Sequence, residues 1–171
     1  FNGVDTISYE ISDGNGGVST ATVEVMVNTQ PVASDDAITT SEDTAVVINV
    51  LSNDSDIDGN QLTITDATAA NGTVTINANG TLSYTPDSDF NGTDTISYDI
   101  SDGFGGQSTT SVNVTVTAVN DAPVAVNDIA ATNENTTVTI SVLSNDKDID
   151  GDVLSVTTAT ADNGTVSINI D

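Results

Sequence analysis

The feature that most constrains the fold is an internal repeat with a period of about 90 residues, too long for one coil of a solenoid. Residues 1–14 match residues 90–103 almost letter for letter, and the stretch from Pro31 onward returns from Pro123 onward. A repeat of this length predicts independent domains arranged like beads on a string. The chain therefore divides into the C-terminal part of a first repeat (1–30), one complete repeat (31–122) and the N-terminal part of a third (123–171).

Hydrophobic periodicity within the complete repeat predicts strands and no helix. Apolar and polar residues alternate over seven short segments, which turn signals separate. Asn-Gly pairs at 71–72 and 79–80 suit tight hairpins, because both residues tolerate positive φ. We therefore expect an all-β fold of tandem seven-stranded antiparallel β-sandwiches, similar in size to immunoglobulin domains. By the same count, residues 1–30 hold the sixth and seventh strands of one repeat, and residues 123–171 hold the first four strands of another.

Three tyrosines alternate with apolar residues and are expected to pack in a core. They are Tyr9, Tyr84 and Tyr98. Tyr98 falls in the sixth strand, so a tyrosine corner, in which the hydroxyl bonds to nearby upstream backbone, is a possible arrangement there.

An aspartate-rich loop follows the second strand of the complete repeat, at residues 53–59, and returns at residues 145–151. Its aspartates stand at every second position of both copies: Asp54, Asp56, Asp58, Asp146, Asp148 and Asp150. This spacing lets a tightly turning backbone direct three carboxylates to one centre, and the closing glycine permits the turn. The chemistry predicts a divalent cation, with Ca²⁺ preferred over Mg²⁺, which tends to keep its waters.

The loop alone does not complete a calcium shell. The position at which an EF-hand carries its bidentate glutamate is occupied by Thr65, and calcium takes six to eight oxygens. Because successive strands reverse direction, each sandwich has an N-terminal pole, where the chain arrives, and a C-terminal pole, where it leaves. Further candidate ligands at these poles and in the second connector are Asp13, Asp102, Glu42, Asp89, Asn120 and Asp121. For Asp13 and Asp102, a plain Asp-Gly turn is an equally good explanation.

Several ordered motifs resemble the cadherin-like, immunoglobulin-like tandem repeats of giant bacterial surface proteins. They lie at residues 41–44, 50–59, 80–86, 90–94 and 120–123. Such repeats are common in calcium-dependent adhesins exported by type I secretion. The resemblance implies an extracellular or cell-surface location, with neighbouring repeats of the same chain as partners and calcium stiffening the joints between them.

The two connectors differ in the residues that the resemblance makes important. Residues 120–123 resemble the cadherin connector, Asp56 and Asp58 resemble its Asp-x-Asp element, and Glu42 resembles an early glutamate of the family. The first connector, residues 28–31, lacks the aspartate and is three residues shorter. We expect Gln30 to stand in the role of Asp121, so that the first joint binds a cation more weakly or bends more.

Composition excludes several functions. The chain has 26 acidic residues against one basic residue, for a net charge of −25, which argues against nucleic acid or an anionic membrane as a partner. No apolar run approaches the ~20 residues of a membrane span, so no membrane insertion is expected. Without histidine or cysteine the usual catalytic and thiolate metal sites are missing, and the sequence predicts that the protein is not an enzyme.

The main functional prediction is a structural extender segment of an extracellular bacterial adhesin, rigidified by calcium at its domain joints. The alternative is a subunit of an extracellular filament, in which the partial repeats at the two ends are completed by other copies. A ligand-binding module is a third possibility. It would need one repeat with a distinctive pocket, and none of the three repeats departs from the common pattern.

Overall fold

The computed structural model describes residues 1–169, and its regular structure is almost entirely β. The chain forms two compact units, Phe1–Ala118 and Val119–Asp171. No helix within the described residues is long and apolar enough to cross a membrane. The predicted all-β class is therefore confirmed, and the sheets of the first unit form an open sandwich.

The first unit begins with a hairpin of two long antiparallel strands, β1 (Gly3–Ser12) and β2 (Val18–Val27). The strands that follow are β3 (Asp36–Ser41), β4 (Val46–Ile48), β5 (Thr63–Thr68), β6 (Gly72–Ile76), β7 (Leu82–Pro86), β8 (Gly92–Ser101) and β9 (Gln107–Thr117). The strand β4 is only three residues long, because the chain turns after it into a single 3-10 turn, Val50–Ser52. Val50 stays fully buried in that turn.

The strands β3 to β9 form two sheets, with strand orders β3-β9-β8-β5 and β4-β7-β6. Most neighbours are antiparallel, as expected, but β3 runs parallel to β9, with Ile38 opposite Val114. The reason is geometric. When successive strands reverse direction, the first and seventh strands of the repeat point the same way, so pairing them closes one sheet edge with a parallel ladder.

The core lies between these two sheets. Alternate residues of β8 and β9 face inward and meet the apolar side of β4 and β7, as expected for strands with one buried face. The buried apolar residues are Ile48, Val50, Leu82, Tyr84, Ile96, Tyr98, Ile100, Val112, Val114 and Val116. Tyr84 and Tyr98 therefore pack in the core as the alternation indicated.

The hairpin β1–β2 repeats the sequence of β8–β9 but does not bury it. Ile7, Tyr9 and Ile11 are 51%, 46% and 61% exposed, whereas Ile96 and Ile100 are fully buried. The expectation that Tyr9 lies in a core is therefore wrong for this structure. The physical reason is that the hairpin has no opposing sheet here to cover its apolar face.

The second unit repeats the loops of the first without its sheets. Within the part that the structure describes, its pairing is limited to a bridge between Val124 and Lys147. That bridge matches the one between Val32 and Ser55 in the first unit. The four strands expected in this segment are not formed in residues 123–169. In the first unit β3 pairs with β9 and β4 with β7, and no residues equivalent to β7 or β9 stand in 123–169.

Candidate metal centre at the aspartate loop

The middle aspartate organises the loop around its own backbone. In the first copy Asp56 Oδ1 accepts hydrogen bonds from the N–H groups of Asp58 (2.9 Å) and Asn60 (3.2 Å). The turn closes with Gly59 N bonded to Asp56 O, at a φ of +76° that favours glycine. In the second copy Asp148 Oδ1 accepts the equivalent bonds, at 3.0 and 3.2 Å. The sequence repeat is thus also a repeat of conformation.

The second oxygen of Asp56 has no protein partner. Its Oδ2 is shielded from solvent and accepts no hydrogen bond, which sets it apart from the other buried side-chain nitrogen and oxygen atoms of the described residues. A buried carboxylate oxygen without a donor is costly, since it loses its hydration and gains nothing in return. An atom of this kind is what a bound cation would satisfy, so Asp56 fits a metal-binding role.

The first aspartate of each copy ties the loop to the segment that follows the connector. Asp54 Oδ1 accepts a hydrogen bond from Ser34 N at 2.8 Å, and Asp146 Oδ1 accepts one from Val126 N at 2.7 Å. Burial raises the pKa of Asp54, and hydrogen bonds from Ser34 N and the Tyr98 hydroxyl only partly offset it.

The hydroxyl of Tyr98 lies among oxygen acceptors at the N-terminal pole of the repeat. It is 3.1 Å from Asp36 Oδ2, 3.4 Å from Ser34 O and 3.5 Å from Asp54 Oδ2. Burial and the charge of Asp54 raise the pKa of Tyr98. The predicted tyrosine corner is therefore not formed. The hydroxyl bonds to residues more than 40 positions upstream rather than to nearby backbone.

The third aspartate receives the backbone of the connector. Asp58 Oδ2 accepts a hydrogen bond from Thr29 N at 2.7 Å, and Asp150 Oδ2 accepts one from Asp121 N at the same distance. Thr29, not Gln30, therefore stands where Asp121 stands in the other copy, and the expectation for Gln30 is wrong. The extra residues of the second connector precede Asn120, so the four residues up to the proline align without a gap.

The three carboxylates of one loop point to different partners rather than to a single centre. Among residues 1–118, all of which the structure describes, no three carboxylates bring one oxygen each within 4.8 Å of one another. Asp54 is engaged by Ser34, and Asp58 is engaged by Thr29 and by Asn2, whose amide lies 3.0 Å from Asp58 Oδ1. The unpartnered Oδ2 of Asp56 is the distinguishing feature of the loop.

The turn aspartates serve their own turns. Asp102 is 2% exposed, and its Oδ1 accepts the N–H groups of Phe104 (2.8 Å) and Gly106 (2.9 Å). Its Oδ2 accepts the Asn28 side-chain amide at 2.7 Å, and this bond is the main reason why its pKa lies below the usual value. Asp13 holds the equivalent turn, and the backbone N–H of Asn15 lowers its pKa. The turn-forming role left open for both residues is thus present.

The predicted ligands of the C-terminal pole are distributed over both units. In the first, Glu42 is buried and accepts a bond from the Asn91 amide at 3.4 Å. Asp89 adopts a positive φ of 58° and donates its N–H to Asp43 Oδ1 at 3.3 Å. In the second unit, the side chain of Asn120 donates to the carbonyl of the residue after it. A ligand role for these residues stays a prediction.

The family is decided by a sequence comparison. A model of the bacterial Ig domain matches residues 28–115 and again residues 120–171. The chain belongs to the bacterial Ig domain family. The two matched stretches correspond to the complete repeat and to the segment after it, so the predicted immunoglobulin-like repeat is confirmed. The cadherin-like adhesin, the calcium dependence and the type I secretion remain predictions.

Bacterial Ig domains are typically extracellular or surface-exposed modules with a structural role. No curated protein matches this Ig-domain chain. Solved structures similar to it include an endo-fucoidan hydrolase, MfFcnA4, of glycoside hydrolase family 107, at 20% identity and a TM-score of 0.40. That match covers 69% of this chain and 19% of the hydrolase chain.

Two further solved structures match at a similar level. One is a nucleoside hydrolase-related hypothetical protein from Saccharophagus degradans that is associated with carbohydrate metabolism. It shares 14% identity and a TM-score of 0.42, over 55% of this chain and 26% of that one. The other is the family 107 endo-fucoidan hydrolase MfFcnA9, at 19% identity and a TM-score of 0.39, over 68% of this chain and 22% of that one. The Ig-domain chain thus spans about a fifth to a quarter of the length of these proteins.

The prediction that the protein is not an enzyme is contradicted by these matches, because the fucoidan hydrolases among them are enzymes. The absence of histidine and cysteine describes this stretch of sequence alone. It does not extend to a longer protein that carries such an Ig module. The exclusion is therefore withdrawn.

Sequence reasoning missed the amide groups of the first connector. Asn28 bonds to both Asp102 and Asn60, and Asn2 bonds to Asp58. The one available signal was that Asn28 and Asn120 occupy the same position before a Pro-initiated repeat. The partners of Asn28 lie 32 and 74 residues away along the chain, so only the fold reveals them.

Proposed function

We propose that the chain is an extender segment of an extracellular bacterial adhesin, in which calcium bound at the aspartate loops stabilises successive Ig repeats. The observation that carries the proposal is the shielded Asp56 Oδ2, which accepts no hydrogen bond. In a chain of net charge −25, a cation is the partner that such an atom is expected to attract.

The residues that would hold the ion are Asp56, through Oδ2, with Asp54 and Asp58 beside it in the same loop. In the second copy the corresponding residues are Asp148, with Asp146 and Asp150 beside it. A bound Ca²⁺ would supply positive charge and oxygen coordination in a place where carboxylates otherwise repel one another. The protein's own contribution is the loop backbone, which Asp56 Oδ1 holds in shape.

The stabilisation expected per site is modest. For an extracellular module with a Kd of roughly 10⁻⁴ to 10⁻³ M in millimolar calcium, binding contributes about 0.4 to 1.4 kcal/mol. A rod of many repeats would multiply this effect. Mg²⁺ is expected to substitute poorly, because it retains its waters.

The test is calorimetric melting of the full chain in calcium, in magnesium and in EDTA. We expect calcium to raise the melting temperature above that in EDTA, and Asp56→Asn to reduce the increase. The matched control is Asp66→Asn, which removes the same charge from an exposed position of β5 and should respond to calcium as the unmodified protein does. An identical melting curve in EDTA and in calcium would refute the proposal.

A second candidate function is self-assembly into a filament. The observation that favours it is the exposed apolar face of the β1–β2 hairpin, whose counterpart in β8–β9 is fully covered. Another copy of the chain is a partner that would cover this face. Sedimentation velocity over a range of concentrations tests the idea. Concentration-dependent association that Ile7→Asp abolishes would support it, and a monomer at every concentration would refute it.

A further inference from the structure

The connector between the hairpin and the complete repeat is held by a set of neutral hydrogen-bond donors. The side chain of Asn28, half-buried at the end of β2, donates through Nδ2 to Asp102 Oδ2 at 2.7 Å. Its Oδ1 accepts from the amide of Asn60 at 2.9 Å. One side chain therefore joins the connector to the β8–β9 turn and to the loop that carries the aspartates.

Two more donors act on the third aspartate of that loop. Thr29 N lies 2.7 Å from Asp58 Oδ2, and the Asn2 amide lies 3.0 Å from Asp58 Oδ1. With Asn28 on Asp102, each oxygen of these two carboxylates has a neutral donor. Hydrogen bonds to ionised carboxylates are stronger than those between neutral groups. These donors thus stabilise the carboxylates of Asp58 and Asp102 at this joint, as a bridging cation would at another.

We propose that Asn28 is the residue that locks the first joint without a cation, so that this joint stays rigid when calcium is removed. This goes beyond the proposed function, in which calcium acts at the aspartate loop through Asp56. It also replaces the expectation that the first joint bends more. A carboxylate at position 28 would face Asp102 Oδ2 at hydrogen-bond distance, and the two charges would repel unless a cation bridged them.

The proposal therefore predicts that Asn28→Asp converts a calcium-independent joint into a calcium-dependent one. A purely structural role for Asn28 would not produce rescue by calcium. The matched control is Asn120→Asp, at the equivalent position of the second connector, where the side chain donates to the carbonyl of Asp121. Asn28→Ala removes the bonds without adding charge, and calcium should not rescue it.

The measurement uses the full chain, which has no cysteine, with spin labels at Thr20→Cys on β2 and Thr75→Cys on β6. Double electron–electron resonance gives the distribution of the distance between the labels. Hydrogen exchange of the Thr29 amide reports the bond to Asp58 directly. For the protein with Asn28 we expect a narrow distribution in EDTA that calcium leaves unchanged.

For Asn28→Asp in EDTA we expect a broad distribution of label distances and exchange of the Thr29 amide that is about tenfold faster, equivalent to about 1.4 kcal/mol. Calcium should restore both the narrow distribution and the slow exchange. A broad distribution for the unmodified joint in EDTA would overturn the proposal. So would an Asn28→Asp variant that stays narrow in EDTA, or one that calcium fails to restore. The two ideas fail separately, because a melting curve insensitive to calcium refutes the proposed function without loosening this joint.

Discussion

Replacing Asp94 with asparagine tests whether a buried carboxylate between the two sheets stabilises the repeat. Asp94 is 3% exposed, and each of its oxygens accepts two hydrogen bonds. Oδ2 lies 3.0 Å from Asn71 N and 2.9 Å from the Tyr84 hydroxyl, and Oδ1 lies 2.8 Å from Thr95 N and 3.3 Å from the Asn71 amide. Whichever oxygen becomes an NH₂ group, two donors lose their acceptor.

The expected cost follows from those two bonds. Hydrogen bonds to a charged group contribute roughly 1.5 to 3 kcal/mol each, and partial relaxation lowers their sum, so we expect Asp94→Asn to destabilise by about 3 kcal/mol. The matched control is Asp5→Asn, at the equivalent position of the exposed β1 strand. It should change the free energy of unfolding by less than about 0.5 kcal/mol, as exposed substitutions usually do.

The pH dependence of stability gives a second check on the stabilising effect of the Asp94 carboxylate. Burial acts to raise the pKa of Asp94, but hydrogen bonds from Asn71, Tyr84 and Thr95 outweigh it, and the pKa lies below its usual value. A depressed pKa stabilises the fold above the unfolded pKa of about 3.9, and this contribution is lost as the pH falls through the folded pKa. The deficit of Asp94→Asn should therefore shrink below about pH 4.

The assay is urea denaturation followed by circular dichroism, at pH 7 and at a series of acid pH values, with calcium held constant. Tyr84→Phe gives a useful intermediate, since it removes one donor and leaves three bonds to Asp94 in place. A cost below about 1 kcal/mol for Asp94→Asn at pH 7, or a cost that does not change in acid, would refute the reasoning.

Two further substitutions probe the core and the loop. Ile96→Ala should destabilise the complete repeat by about 2 to 5 kcal/mol, because it opens a cavity among fully buried side chains, whereas Ile7→Ala on the exposed hairpin should cost much less. Urea denaturation measures both changes in the free energy of unfolding, and equal costs would contradict the assigned core. Gly59→Ala places a side chain at a residue with a φ of +76° and should lower the free energy of unfolding by about 1 to 2 kcal/mol, whereas Gly164→Ala, with open space around it, should be close to neutral. Thermal melting of both variants measures the difference, and a neutral Gly59→Ala would contradict the assigned turn.

Much of the fold was predictable because strand periodicity is a local property. The alternation in residues 94–101 and 108–117 placed β8 and β9 closely, and Asn79-Gly80 placed the hairpin turn between β6 and β7. The hairpin expected at Asn71-Gly72 is not formed, because β5 and β6 lie in different sheets. The parallel pairing of β3 with β9 was not predicted, since alternation locates a strand and its buried face but does not show which strands are neighbours. The exposure of Tyr9 was not predicted either, because burial depends on an opposing sheet.

The candidate site was predicted in outline and corrected in detail. The two aspartate loops, with their glycine turns, were located from the repeat. The role given to Gln30 was wrong, because an alignment of connectors of unequal length does not show which backbone N–H reaches Asp58. The amide of Asn28 escaped notice because a neutral side chain carries no signal of its partner 74 residues away.

The sequence by itself determined that this is an all-β protein with two copies of an aspartate loop, because hydrophobic alternation and turn residues are local patterns and the loop residues recur in the same order. Only the tertiary structure decided what each carboxylate does. Asp54 and Asp58 accept backbone N–H groups, Asp102 accepts an amide, and Asp56 alone keeps a shielded oxygen without a hydrogen bond among the described residues. Those differences arise from contacts between distant segments, since the charge and chemistry of these aspartates are identical until folding gives each one different neighbours.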